Sequence, residues 1–309
     1  MSFIIEKPKV VVVAGPTASG KTGLGIALAQ RFGGEIVSAD SMQIYKGMSI
    51  ASAAPTNEEK EQAVHHLVEF LEPEERFCVA DYVALAKEKI SDILSRGKLP
   101  IIVGGTGLYI NSLIDGIEFC EQSPNETIRK RLEAEFDALG GELMLSRLKE
   151  IDEQTANRLS ASDKRRIVRA LEIYETTGIT LSQQNELSRK NGKPYDEIML
   201  GITFLDREKL YERINKRVDL MLNNGILEEA KLMSNKGVTA AQAIGHKEFN
   251  EYFSGNCTLE EATEKLKRET RRYAKRQLTW FRRDSRINWL YNDSDDVFQR
   301  AVEIIERKL

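Results

Sequence analysis

The chain has 309 residues, 41% hydrophobic and 30% charged, with a formal net charge of −3. That length suits about two domains, and the composition describes an ordinary soluble protein. No apolar run approaches the ~18 residues of a membrane span, and Cys78, Cys120 and Cys257 are too scattered for a disulfide framework or a cysteine-based zinc site.

Residues Met1 to Lys9 lack the apolar stretch of a secretory signal. A reducing cytoplasm is the expected home, with no membrane partner. The first predicted strand is the β-branched run Val10 to Val13. Directly after it stand Gly15, Pro16, Thr17, Ala18, Ser19, Gly20, Lys21 and Thr22, a complete G-x-x-x-x-G-K-[ST] phosphate loop, and Gly23 to Ala29 continue with helical spacing. This strand–loop–helix context is what the motif requires. The glycines let successive backbone N–H groups point inward at a phosphate, and the helix adds the positive end of its dipole. Lys21 supplies a full charge, and Thr22 a hydroxyl suited to Mg²⁺. The loop predicts a phosphorylated small molecule as ligand without saying which.

Glu35 to Ala39, Leu99 to Val103 and Ile198 to Phe204 are predicted as further buried strands, with an amphipathic helix from Val79 to Arg96 before the second of these. Strands alternating with helices predict an α/β fold, a parallel sheet wrapped by helices. Right-handed crossovers then bring the loops after the strands to one edge. Between Asp115 and Tyr195 the pattern changes to charged helical segments, Ile128 to Leu139, Gly141 to Glu150 and Ser162 to Thr176. The predicted organisation is a core of residues 1–114 and 196–309, its C-terminal part helical, interrupted by an all-helical insertion at 115–195. Helices are expected over Arg207 to Asn223, Ile226 to Ser234, Leu259 to Arg283 and Asp296 to Lys308.

The edge loops carry chemistry. Asp40, Ser41, Met42, Gln43, Ile44 and Tyr45 follow one strand; Gly104, Gly105, Thr106, Gly107, Leu108 and Tyr109 follow another. Asp40 is the carboxylate at a predicted strand end near the phosphate loop, suited either to a cap or indirect metal contact or to a general base facing a second substrate. Gly104 to Gly107 would either admit a flat ligand close to the backbone or form a plain turn. His65 and His66 lack a third metal ligand at useful spacing and read as structural. Nine basic residues against two acids lie between Lys267 and Arg286. With Arg129, Lys130 and Arg131, and with Lys164, Arg165, Arg166 and Arg169, they favour a surface that binds a phosphate backbone. Trp280 and Phe281 read as core.

Taken in order, the phosphate loop, Asp40 to Tyr45, His65-His66-Leu67, Gly104 to Tyr109, Lys164 to Leu171, Ala243-Ile244-Gly245 and Tyr273 to Arg282 resemble the tRNA dimethylallyltransferase (tRNA isopentenyltransferase) family, bacterial type, over nearly the whole chain. The resemblance implies transfer of a dimethylallyl group from its diphosphate to the 6-amino group of the adenosine 3′ of the tRNA anticodon. It implies Mg²⁺ on Thr22, Asp40 as general base, and Lys21 and Arg217 on the leaving diphosphate held by residues 15–22. Contacts to tRNA would come from Asp40, Ser41, Met42, Gln43, Thr106, Arg129, Lys164, Arg165, Arg166, Ile167 and Val168. A monomer is expected. Two stretches depart from that family's pattern: Ala51-Ser52-Ala53-Ala54-Pro55, where Gly-Thr-Ala-Lys-Pro is usual, and His246, where an aromatic is usual. The rival readings are a phosphate-loop small-molecule kinase, a prenyltransferase of free adenine nucleotides, and an RNA-binding switch without catalysis.

Overall fold

The computed structural model describes residues 7–118, 125–188, 190, 192–294 and 296–309, so Cys120 and most of the segment read against a secretory signal lie outside the described residues. The chain forms two compact units, Met1–Ile114 with Pro194–Leu309, and Asp115–Lys193. The boundary lies two residues before the expected one because Tyr195 is buried in the core of the first unit.

That unit is built on a six-stranded sheet: β1 (Lys9–Ala14), β2 (Glu35–Ser38), β3 (His65–His66), β4 (Pro100–Gly104), β5 (Asp196–Thr203) and β6 (Asn288–Tyr291). Their order is β3-β2-β4-β1-β5-β6 and every pairing is parallel. Alternate residues of β1 explain why its sequence is apolar without interruption. Val10, Val12 and Ala14 join one cluster with Tyr82, Ile90 and Ile110, whereas Val11 and Val13 join another with Leu24, Leu28, Ala301 and Ile305. Helices cover both faces, so no position of the strand is left to water. Each such burial contributes about 1.5–3 kcal/mol.

β3 and β6 are absent from the sequence reading. Both are short edge strands. β3 is two residues long, and β6 buries only Leu290 deeply, with polar Asn288 at its start, so neither carries a run that stands out from its helical surroundings. In β3, His66 Nε2 meets Glu35 Oε2 at 2.7 Å and His65 Nδ1 meets the Ala63 carbonyl at 2.8 Å. Among the described residues, no group of His, Cys, Asp and Glu is arranged to hold a metal, and no helix is long and apolar enough to cross a membrane.

The second unit is helical throughout its described residues, with principal helices Glu126–Leu139, Gly141–Ile151 and Lys164–Thr177. They close around Leu132, Met144, Leu148, Ile167, Val168 and Leu171. Glu172, 1% exposed, lies inside this unit and pairs with Arg129 at 2.8 Å and Arg169 at 3.1 Å.

Candidate active site

The phosphate loop leaves β1 at Gly15 because no other residue fits there: a Cβ would sit 2.3 Å from the carbonyl oxygen of Ile202 on β5. The helix Lys21–Phe32 begins after Gly20, whose φ of +93° suits glycine. Three consecutive loop residues are held from outside. Gln277 Oε1 accepts the Thr17 N–H at 2.8 Å, Arg213 Nε donates to the Ala18 carbonyl at 3.1 Å, and Asn292 Nδ2 donates to the Ser19 carbonyl at 2.6 Å. These clasps come from the long helix Leu259–Phe281, the helix Arg207–Asn223 and the end of β6. The sequence reading missed Gln277 and Asn292 as parts of the site. A Gln on the apolar side of a helix was the available signal for the first; none marked the second.

Lys21 Nζ donates to the Pro16 carbonyl at 2.6 Å. Burial brings its ammonium down to about 8; the Asp40 carboxylate opposes that shift and the Arg217 guanidinium adds to it. Burial likewise lowers Arg217, again against the pull of Asp40. Lys21, Asp40 and Arg217 therefore feel one another, although 196 positions separate Lys21 from Arg217 in the chain. Ser19 Oγ and Arg217 Nε are buried with no protein partner. Groups of that kind cost about 1–3 kcal/mol unless a ligand satisfies them.

Asp40 follows β2, and its Oδ1 accepts the Met42 N–H at 2.9 Å. The Thr106 Oγ1 accepts the Ser41 N–H at 3.0 Å, and the Thr106 N–H reaches the Ala39 carbonyl at 3.1 Å. Asp40, Ser41 and Thr106 are thus brought together, as expected. Gln43 is turned into the protein: its Oε1 accepts from Ser38 Oγ at 2.9 Å and its Nε2 donates to the Ala53 carbonyl at 2.9 Å. The glycines at the end of β4 and just after it serve packing. A Cβ at Gly104 would lie 2.1 Å from the Ala39 carbonyl, at Gly105 2.3 Å from Gln277 Nε2, and at Gly107 2.2 Å from Trp280. Of the two aromatics read as core, Phe281, at 1% exposed, fills it, whereas Trp280, at 41%, does not: it lies over Gly107 at the surface.

The family model described as IPP transferase matches residues 43–284, and that described as isopentenyl transferase matches residues 8–70. The chain belongs to the tRNA dimethylallyltransferase family. A tRNA dimethylallyltransferase of Acetivibrio thermocellus is 48% identical over 95% of each chain. The crystal structure of a full-length tRNA isopentenylpyrophosphate transferase of Bacillus halodurans is 42% identical, with TM-score 0.70 over 97% of this chain and 94% of that one. A eukaryotic dimethylallyltransferase acting on tRNA is 30% identical, with TM-score 0.81 over 98% of this chain and 80% of that one.

Of the residues expected to touch tRNA, Ile167 and Val168 are buried, while Gln43 and Arg129 are engaged by other groups of the protein. Ile167 and Val168 are 0% and 2% exposed; they are the core of the helical unit and have no surface to offer RNA. Arg129 engages both oxygens of buried Glu172 with its side chain about one third exposed. Lys164 pairs with Asp137 at 2.5 Å, whereas Arg165 and Arg166 are exposed. The two departures from the family's pattern converge. Glu229 accepts the N–H groups of Ile50 and Ala51 at 2.8 and 2.9 Å and meets His246 as well.

Proposed function

We propose that this chain transfers the dimethylallyl group of dimethylallyl diphosphate to the 6-amino group of the adenosine 3′ of the anticodon in tRNA, releasing diphosphate. The observation that carries the reading is a phosphate loop, with Lys21 Nζ held on the Pro16 carbonyl, that comes with a buried hydroxyl, Ser19, and a buried guanidinium nitrogen, Arg217 Nε, both without partners, while Asp40 acts electrostatically on Lys21 and Arg217. The cations and loop amides stabilise negative charge building on the diphosphate as the allylic carbon–oxygen bond breaks. The Ser19 hydroxyl and Arg217 Nε, buried without partners, are donors for its oxygens. The adenine amino group is a poor nucleophile because its lone pair is delocalised into the ring. As the new carbon–nitrogen bond forms, its proton passes to Asp40, worth about 10²–10⁴-fold in rate.

A Mg²⁺ ion fits this donor set: a single hydroxyl, Thr22, next to a site for phosphate oxygens matches the habit of Mg²⁺ of binding few protein groups and several substrate oxygens. Thr22 would hold it, and the ion would add charge neutralisation on the diphosphate.

The target base leaves the anticodon-loop stack to reach Asp40, at the modest cost a single-stranded loop permits. Ser41, Met42 and Thr106 line its approach; Arg165, Arg166 and Lys164 bind the phosphate backbone. We place the protein in the cytoplasm, acting as a monomer.

Mass spectrometry of an anticodon stem-loop after incubation with dimethylallyl diphosphate and Mg²⁺ tests the reading. A gain of one dimethylallyl group on adenine supports it. Product on free AMP but not on the stem-loop, or phosphoryl transfer from ATP, overturns it.

A further inference from the structure

We propose that Gln277 is a positioning residue that locks the phosphate loop to the loop after β4 and so sets the separation between the departing diphosphate and Asp40. The proposal rests on the function given above.

Gln277 is 6% exposed on the helix Leu259–Phe281. Its amide is used at both ends: Oε1 accepts the Thr17 N–H at 2.8 Å and Nε2 donates to the Gly105 carbonyl at 2.9 Å. Both partners are backbone groups, one obligate donor and one obligate acceptor, so the orientation of the amide is dictated. The bond to Gly105 continues into the acceptor side. The next residue, Thr106, is joined to Ala39 and Ser41, the two neighbours of Asp40. One side chain therefore joins the loop that holds the leaving group to the segment that holds the base.

The contact has no slack, since a Cβ at Gly105 would approach Gln277 Nε2 to 2.3 Å. One turn further along the helix, Trp280 lies on Gly107 and its Nε1 donates to Asn111 Oδ1 at 3.2 Å. The helix thus grips the loop on both sides of Thr106. A reaction in which bond breaking and proton removal occur on two different loops is sensitive to displacements of about 1 Å between them.

The test uses the full chain, dimethylallyl diphosphate, Mg²⁺ and an anticodon stem-loop. Gln277→Met keeps the length of the side chain and removes the hydrogen bonds to Thr17 and Gly105, together with the one to Tyr273. We expect its single-turnover rate constant, which does not depend on the fraction of folded enzyme, to fall about 10–100-fold, with KM for the stem-loop within about twofold of wild type. Gln277→Glu retains an acceptor for Thr17 but cannot donate to Gly105 and brings an anion to the phosphate loop. Its KM for dimethylallyl diphosphate should rise at least about tenfold. Gly105→Ala displaces the same amide, so the Gly105→Ala, Gln277→Met double variant should lose little more than either single one. A Gln277→Met enzyme with the wild-type single-turnover rate, or rate losses that multiply in the double variant, would overturn the proposal. Absence of product from the wild-type enzyme itself would instead remove the function on which it rests.

Discussion

His246 and Glu229, both buried, meet Nε2 to Oε1 at 2.9 Å. The same carboxylate caps the N–H groups of Ile50 and Ala51 at the start of the short helix Ser49–Ser52. The carbonyls of Ser52 and Ala53 in turn receive Gln43 Nε2. Two positions nearly 200 residues apart thus form one cluster, and an alanine-rich stretch beside the site owes its shape to a glutamate on another helix.

Removing that glutamate should be costly. Glu229→Ala strands two backbone donors and removes one partner of a buried imidazole, for an expected loss of about 3–5 kcal/mol. His246→Phe leaves the carboxylate its two amide partners and should cost about 1–2 kcal/mol. Urea denaturation midpoints at neutral pH compare the two. Equal costs would show that the amide bonds contribute nothing.

Asp40→Asn isolates proton acceptance, because the amide oxygen can still take the Met42 N–H that Asp40 Oδ1 takes now. We expect turnover at least 100-fold lower with tRNA affinity within a few-fold of wild type. Near-normal turnover in a steady-state assay would exclude Asp40 as the base.

Lys21 couples stability to pH. Its ammonium titrates near 10.5 in an unfolded chain and about 8 when buried. Between those values the unfolded chain binds more protons, so stability rises with pH across that window and is lowest below about 8, where the partly buried cation is charged. The rise should be about 1–3 kcal/mol in the ligand-free protein. Lys21→Met should lack it, while losing affinity for dimethylallyl diphosphate. Denaturation midpoints at several pH values between 7 and 10 would show parallel curves for the two proteins if Lys21 were not responsible.

The basic residues of the helical unit are not equivalent. Arg165 and Arg166 are exposed, Arg166 making a long pair with Asp163 at 3.8 Å, whereas Arg129 serves buried Glu172. Arg165→Ala with Arg166→Ala should reduce the slope of log affinity for tRNA against log salt by about 1–2. Arg129→Ala should instead lower the melting temperature, because it uncovers a buried carboxylate. An unaltered slope in the double variant would assign those arginines to ordinary solvated surface.

Much of this molecule was legible in local sequence. The run Val10–Val13, the glycine–lysine spacing after it and the 3.6-residue period of the later helices depend on neighbours in the chain, and the structure reproduces them within a residue or two. Asp40 could be singled out because it is the carboxylate at the end of a predicted strand near the phosphate loop. What the chain order did not display was every relation between distant segments. β6 forms only because β5 offers it an edge. Gly105 and Gly107 make room for Gln277 and Trp280 on a helix more than 150 residues away, and Ile167 is core while Arg165, two positions earlier, is surface. Sequence by itself determined which groups can bind a phosphate and accept a proton, since these are properties of residue type and short spacing. Tertiary structure alone decided which polar side chains are left without partners at the candidate site and which serve the protein, because that depends on what packs against them from elsewhere.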